Sequence, residues 1–214
     1  MIRRFQKLFG ISPKIVAHDL HPDYLSTRYA ANITYRKHKI MRIPVQHHHA
    51  HIVSCLGENR VRGKVIGVAF DGIGYGADGN IWGGEFLVAD CTDFQRIGQL
   101  KYLPLPGGDR AVEEPWRMAV SLLAEAFGKR IPRIDFMNRW GKKVPILLEM
   151  MEKRINSPLT SSMGRLFDGI SSLLGICDVN TYEGQAAMEL ESVAEELSVS
   201  TGDLLPENYG YEIR

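Results

Sequence analysis

The sequence has few cysteines, no excess of charge of one sign and no long apolar run. Cys55, Cys91 and Cys177 are far apart and form no Cys-x-x-Cys pair, so they suggest no disulfide framework and favour a reducing, cytoplasmic setting. The 26 Lys and Arg residues balance 25 Asp and Glu residues, which gives no reason to expect a nucleic acid or a membrane surface as a partner. No apolar run approaches the roughly 18 residues that cross a bilayer.

Hydrophobic periodicity divides the 214 residues into two parts. Strand-like runs dominate the first part and lie at 14–19, 40–45, 64–70 and 81–90. A helical pattern lies between them, and Asp78-Gly79 is typical of a hairpin turn. Helical stripes follow at 114–127, 144–155, 163–174 and 184–197, with a basic connection at 129–143 that we expect to be irregular and solvated. We therefore predict a mixed α/β part over residues 1–110 and a helical part over residues 111–214.

Four histidines fall within five positions, at 47, 48, 49 and 51, where the pattern predicts the start of a helix. Residues four apart share one helix face, so His47 and His51 can bind one metal ion. His48 and His49 are rotated from His47 by about 100° and 200°, and we expect them to point elsewhere. Two histidines need a third ligand, and Asp71, at the end of the next predicted strand, is the natural candidate. A merely polar, exposed helix start is the alternative.

The stretch 71–85 holds six glycines in fifteen residues. Glycine at a strand end permits positive φ and lets backbone N–H groups approach an anion. A Walker loop is excluded because no Lys-Ser/Thr pair follows, and a Rossmann fingerprint is excluded because a strand comes next. An EF-hand would need carboxylates at Gly74 and Gly76. The pattern favours a phosphate-binding hairpin, with a turn selected only for its geometry as the alternative.

Two later positions are weaker candidates for a nucleotide site. Asp168 is predicted to lie off the apolar stripe of its helix, free to accept hydrogen bonds from hydroxyls such as those of a ribose. Gly184 is predicted at a helix start, where backbone can approach a ligand. The residues alone favour a structural role for both.

Seven segments, in this order, together resemble one family. They are HDLHPDYLST (18–27), VQHHHAH (45–51), FDG to WGGE (70–85), LPGGD (105–109), EPWRMA (114–119), SSMGRLFD (161–168) and YEGQAA (182–187). Over nearly the whole chain they look like the carboxyl-terminal part of HypF, the carbamoyltransferase family of hydrogenase maturation.

The resemblance implies a fold and an activity. The fold would be the actin-like ATPase fold shared with TsaD-type threonylcarbamoyl transferases: a ribonuclease-H-like mixed sheet with an all-helical second half, incomplete at both ends. A carbamoyl-adenylate, made from carbamoyl phosphate and ATP, would be bound here. Its carbamoyl group would pass to the C-terminal cysteine thiol of the partner HypE, on the way to the cyanide ligands of the nickel–iron centre.

The resemblance also implies residue roles. The metal ligands would be His47, His51 and Asp71, and Asp71 would also be the catalytic residue. The loop that holds the phosphate or carbamoyl group would be Gly72, Gly74, Tyr75 and Gly76. The nucleotide sugar would be held near Asp168 and Gly184. A site of two histidines and a carboxylate suits iron and zinc about equally.

Several parts of the family's pattern are not found in this chain. These are the acylphosphatase-like, zinc-finger and adenylate-forming modules, the first strands of the actin-like domain, and a late Gly-Gly-x-x-x-Asn stretch with another metal-binding aspartate. We therefore expect a fragment or a split-gene product that acts with the missing segments and a HypE-like acceptor. The alternatives are a non-catalytic partner-binding module and a TsaD-like tRNA transferase. The loop with Tyr75-Gly76 and Trp82–Glu85, together with the near-neutral charge, argues against the second.

Overall fold

The computed structural model describes residues 1–33, 40–128 and 130–201, and the chain forms two compact units. The first contains Met1–Tyr102 together with Thr160–Met163, and the second contains Leu103–Leu159 and the chain from Gly164 onward. The predicted boundary at residue 110 falls within the second unit. The return of Thr160–Met163 to the first unit was not predicted.

The first unit combines sheets and helices, which confirms the predicted α/β class. Its elements are α1 (Ile2–Phe9), β1 (Ile15–Asp19), α2 (Leu25–Asn32), β2 (Met41–Val45), α3 (His47–Glu58), β3 (Val65–Tyr75), β4 (Ile81–Ala89) and β5 (Phe94–Gln99). β1 and β2 pair in parallel, whereas β3, β4 and β5 are antiparallel neighbours. Thr160 of β7 (Leu159–Thr160) pairs in parallel with Ile81 of β4. β5 was not predicted.

Helix α3 is held against the β3–β4 sheet by a small apolar core. The core consists of Ile52, Leu56, Ala69, Leu87 and Ala89, with Val65 and Phe94 packed against it. Because a Cβ at Gly67 would overlap the Ile52 side chain, the helix can lie this close to β3 only over a glycine. The same packing fixes the start of α3 beside the end of β3.

The second unit is largely helical, as predicted. Its elements are β6 (Leu103–Pro104), α4 (Arg110–Glu113), α5 (Trp116–Phe127), α6 (Asp135–Trp140), α7 (Val144–Glu152), most of α8 (Met163–Leu173) and α9 (Gln185–Thr201). The prediction of an irregular, solvated connection over 129–143 was wrong where α6 forms, because this helix buries Phe136 completely and stacks Trp140 on Trp116 at 4.5 Å. Residues 130–134 have no regular structure, and residue 129 lies outside the described residues. Buried apolar side chains of α5, α6 and α7 form the core.

Helix α8 buries polar and small side chains that lie off its apolar stripe, and it leaves part of that stripe exposed. Arg165, Asp168, Ser171 and Ser172 are buried, whereas Phe167 is 43% exposed. The reason is close packing at Gly169, where a Cβ would lie 3.2 Å from the backbone nitrogen of Ala119. Small side chains let α8 pack closely on α5 with a face that its apolar pattern does not predict to be buried. No helix among the described residues is long and apolar enough to span a bilayer.

Candidate metal centre

The histidine cluster lies on the first turns of α3, where its side chains are positioned by the helix start. Gln46 is the N-cap residue, and its side-chain oxygen accepts a hydrogen bond from the backbone N–H of His49 at 2.8 Å. Such a cap satisfies one of the free N–H groups at a helix start. His47 and His51 then project from one face, one turn apart, as the spacing predicts.

Asp71 reaches this face because β3 departs from regular pairing at that point. Phe70 is paired with Gly84 and Gly74 with Trp82, so the three residues 71–73 lie opposite the single residue Gly83. A bulge of this kind bends a strand and redirects its side chains. Gly83 is needed there, since a Cβ would lie 2.5 Å from the Asp71 carbonyl oxygen.

The ligand atoms of His47, His51 and Asp71 converge, all lying within 4.8 Å of one another. The Nε2 atom of His47 is 3.0 Å from Asp71 Oδ2 and 3.2 Å from the Nε2 atom of His51, which in turn is 3.6 Å from Asp71 Oδ2. The His51 side chain is 59% exposed, and the His47 and Asp71 side chains are 25% and 29% exposed. The centre is therefore open on one side.

A second carboxylate fixes the His47 ring. Asp19, at the end of β1, places Oδ2 2.7 Å from His47 Nδ1, and its Oδ1 accepts from the backbone N–H of His21 at 2.7 Å. With the Nδ1 proton donated to Asp19, a neutral His47 turns the lone pair of Nε2 toward Asp71. Carboxylates that orient ligand histidines in this way are usual around protein metal ions.

The convergence of these atoms fits a bound cation. A neutral His47 would face the Asp71 carboxylate lone pair to lone pair at 3.0 Å, and Asp71 Oδ2 is buried without a hydrogen-bond partner among the described residues. A divalent ion at the centre would remove both conflicts, because imidazole nitrogens and a carboxylate oxygen are its ordinary ligands.

His48 faces the same centre, contrary to the expectation that it points elsewhere. Its Nε2 atom lies 4.0 Å from Asp71 Oδ2, and its side chain is fully buried. Burial lowers the pKa of His48 to about 4 despite the nearby Asp71 carboxylate, so the ring is neutral. The helical projection alone predicted the wrong direction for His48, because it does not include the sheet on which α3 packs. The bulge in β3 brings Asp71 beneath the first turn of the helix, close to His48. His49 does point away, with Nε2 2.7 Å from the Asp90 carbonyl oxygen.

The glycines of the 71–85 stretch are required mainly by close approaches within the protein. A Cβ at Gly74 would overlap the His48 ring, one at Gly76 would overlap Trp82, and one at Gly84 would overlap the Ser161 carbonyl. Only Gly79 has a positive φ in this stretch, at +81°, in the turn between β3 and β4. These close approaches account for glycines that a simple hairpin turn would not require. Phosphate binding by Gly72, Gly74, Tyr75 and Gly76 stays a prediction.

A buried charge network holds the other side of the bulge. Glu85 is fully buried; its Oε1 atom accepts from the N–H groups of Gly83 and Gly84 at 3.1 and 3.3 Å and from the Ser161 hydroxyl. Its Oε2 atom accepts from Arg96 Nε at 2.5 Å. A buried carboxylate satisfied in this way rigidifies its surroundings. The strand opposite Asp71 is thus fixed by polar contacts as well as by packing.

Comparisons with known proteins identify a family. The family model "Carbamoyltransferase, Kae1-like Domain, second subdomain" matches residues 67–213, and "HypF Kae1-like domain" matches residues 1–58. The chain belongs to the HypF family. It is 46% identical over 199 residues to carbamoyltransferase HypF2 of Cupriavidus necator, and 45% identical over 196 residues to carbamoyltransferase HypF of Rhodobacter capsulatus.

Solved HypF structures show the same fold. A crystal structure of full-length HypF in a phosphate- and nucleotide-bound form is 44% identical, with a TM-score of 0.79 over 90% of this chain and 25% of its own. The crystal structure of T. kodakarensis HypF is 35% identical, with a TM-score of 0.81 over 91% of this chain and 27% of its own. The two curated relatives are matched over 91% and 89% of this chain but over only 24% and 26% of their own lengths. The chain thus spans about a quarter of these relatives and has the Kae1-like α/β fold of HypF.

The two residues predicted to hold a nucleotide lie in the second unit. Asp168 is fully buried, with Oδ2 3.1 Å from Arg165 Nη2, and neither of its carboxylate oxygens has a hydrogen-bond partner among the described residues. Burial raises the pKa of Asp168 to about 6, against the opposing charge of Arg165. Gly184 precedes α9 with φ +78° and has open space around it. Contact of either residue with a nucleotide sugar in HypF-like chains stays a prediction.

Proposed function

We propose that this chain binds a divalent metal ion through His47, His51 and Asp71 and supplies part of the carbamoyl-transfer site of a HypF-type enzyme. The observation that carries the proposal is the convergence of these three ligand groups within 4.8 Å, with Asp19 orienting one of them. The named activity of the relatives and the phosphate- and nucleotide-bound HypF structure support it. As this chain spans about a quarter of those proteins, the activity would depend on further HypF segments.

The reaction would be an acyl transfer to sulfur. A thiolate of the C-terminal cysteine of a HypE-like acceptor attacks the carbamoyl carbon of a carbamoyl-adenylate. The new C–S bond replaces the C–O bond to the phosphate, and AMP leaves with the electron pair. When bound, a divalent ion supplies Lewis-acid polarisation of an oxygen and charge neutralisation.

The residues of this chain would act mainly by holding the reacting groups in position. The bulge at Asp71 and the cap at Gln46 would hold the proposed metal ligands in place before a substrate binds. Because such groups are preorganised, little free energy is spent on reorganising them during a reaction. The exposed side of His51 leaves room for a substrate. Metal identity, iron or zinc, and a cytoplasmic setting are parts of the same proposal.

Metal analysis of purified protein tests the ligand assignment. We expect about one metal ion per chain in unmodified protein, because two histidines and one carboxylate are an established ligand set for zinc, and a loss of most of it in His47→Ala and His51→Ala. Cys55→Ala is the matched control: it changes an exposed potential ligand on the same helix and should retain the metal. Equal metal content in all four proteins would refute the assignment.

The proposed activity needs a separate assay. With ATP, carbamoyl phosphate, the further HypF segments and an acceptor, loss of the acceptor's free thiol should require His47. Co-purification with the acceptor without any such loss would instead favour a non-catalytic binding module.

A further inference from the structure

The side-chain amide of Gln46 has an orientation fixed by two backbone groups. Its Oε1 atom is 2.8 Å from the backbone N–H of His49, which can only donate. Its Nε2 atom is 3.2 Å from the carbonyl oxygen of Tyr75, which can only accept. The amide therefore cannot be reversed without losing both hydrogen bonds.

This orientation determines which nitrogen of His48 carries the proton. The Gln46 Nε2 amide lies 3.1 Å from His48 Nδ1, and as an NH₂ group it must be the donor. His48 Nδ1 is thus the acceptor, and a neutral ring carries its proton on Nε2.

The resulting Nε2–H group points into the metal centre and has no partner there. It is buried, has no hydrogen-bond partner among the described residues, and lies 4.0 Å from Asp71 Oδ2. At 4.0 Å this is too long for a hydrogen bond. Leaving a buried donor unsatisfied costs free energy. A donor fixed in this position is suited to an acceptor atom that arrives with a ligand.

We propose that His48 is a substrate-positioning residue whose Nε2–H donates a hydrogen bond to an oxygen of a phosphate or carbamoyl group bound beside His47, His51 and Asp71. This rests on the proposed function, since it requires such a group at the centre. His48 is then not a metal ligand, because its Nε2 lone pair is occupied by the proton. Gly74 permits the arrangement by leaving room for the His48 ring.

The proton position can be measured directly. In protein labelled with ¹⁵N at histidine, long-range ¹H–¹⁵N correlation should show His48 with a protonated Nε2 and an unprotonated Nδ1, both without metal and with zinc. A spectrum with the proton on Nδ1 would overturn the proposal, as would one in which zinc displaces the Nε2 proton.

Binding of inorganic phosphate to the zinc-loaded chain tests the role. His48→Leu removes the donor at similar volume, and we expect its phosphate affinity to fall roughly three- to tenfold, the loss typical of one hydrogen bond. His48→Gln places an N–H donor near the position of Nε2 and should stay within about twofold of unmodified protein on the same grounds. Zinc affinity should be unchanged in both variants, which separates a donor from a ligand.

The outcomes separate this inference from the function beneath it. If unmodified zinc-loaded protein binds phosphate and His48→Leu binds it equally well, only the role of His48 is overturned. A loss of zinc in both His48 variants has the same consequence, since His48 would then be a ligand. If unmodified protein binds zinc but no phosphate, both this inference and the proposed substrate site are overturned.

Discussion

At the scale of single residues, two adjacent histidines are given opposite roles by their neighbours. Asp19 accepts from His47 Nδ1, which frees the Nε2 lone pair of His47 for a metal ion. Gln46 donates to His48 Nδ1, which places a proton on the Nε2 atom of His48. The hydrogen-bond partner of one ring nitrogen decides the chemistry of the other. The same residue type at positions 47 and 48 is therefore suited, under the proposals above, to act once as a metal ligand and once as a hydrogen-bond donor.

Asp19→Asn tests the first of these roles. An amide cannot accept from both His47 Nδ1 and the backbone N–H of His21, as the two carboxylate oxygens do. We expect zinc affinity to fall 10- to 100-fold, the usual effect of losing such a partner, as measured by competition with a chromophoric chelator. The control is Asp23→Asn, which removes an exposed carboxylate paired with Arg28. Equal affinities for unmodified protein and Asp19→Asn would show that Asp19 does not orient His47.

The convergence of the three proposed metal ligands could be predicted from the sequence, whereas the residues that support them could not. His47 and His51 follow from helical spacing, and Asp71 follows from its place at a strand end. Asp19 contributes through β1 and is 28 positions before His47, so no local pattern joins the two. Asp168 was expected to be accessible because its helix has an apolar stripe elsewhere, but the small residues of α8 determine which face is buried.

At the scale of secondary structure elements, the centre depends on how closely α3 and β3 approach each other. Glycine at positions 67 and 74 removes side chains that would meet Ile52 and His48. The first position allows the helix to pack on the strand, and the second allows the His48 ring to lie under the metal ligands. The glycine-rich stretch is therefore a packing surface for the histidine helix.

Gly74→Ala tests this packing argument. The added methyl would lie 3.0 Å from His47 Cδ2 and 2.9 Å from His48 Nε2, so both rings must shift. We expect a loss of about 1–3 kcal/mol in the free energy of unfolding, as for other overpacked sites, together with weaker zinc binding. Denaturant unfolding and zinc titration measure the two effects.

Gly57→Ala is the matched control in the helix that carries the centre. Nothing lies within 4 Å of an added Cβ there, and its φ is not positive. Alanine should stabilise α3 by up to about 1 kcal/mol and leave zinc affinity unchanged. If Gly74→Ala behaves like Gly57→Ala, the close approach of β3 to the His48 ring is not required.

The missed elements show where local patterns are insufficient. β5 is short, and its residues alternate between half-buried and exposed. Its pairing with β4 therefore decides its structure. α6 has six residues and lies in a basic segment, yet Phe136 and Trp140 anchor it in the core of the second unit. Tertiary packing, which no window of sequence contains, determines both elements.

At the scale of the whole molecule, the centre joins the two segments that separate family models match. His47 and His51 belong to the segment 1–58, and Asp71 belongs to the segment 67–213. All three residues lie in the first unit. A metal ion held by them would therefore cross-link the histidine helix and the sheet within the first unit.

Zinc should therefore stabilise the two units unequally. A ligand that binds only the folded state stabilises it by about 2.7 kcal/mol at a concentration 100 times its Kd, and local opening reports where that free energy acts. In hydrogen exchange followed by mass spectrometry, zinc should slow exchange in peptides from α3 and β3 and leave peptides from α5 and α7 unchanged. Chelation should reverse the effect, and His51→Ala should show none. Equal slowing in both units would contradict a metal site on α3 and β3, which both belong to the first unit.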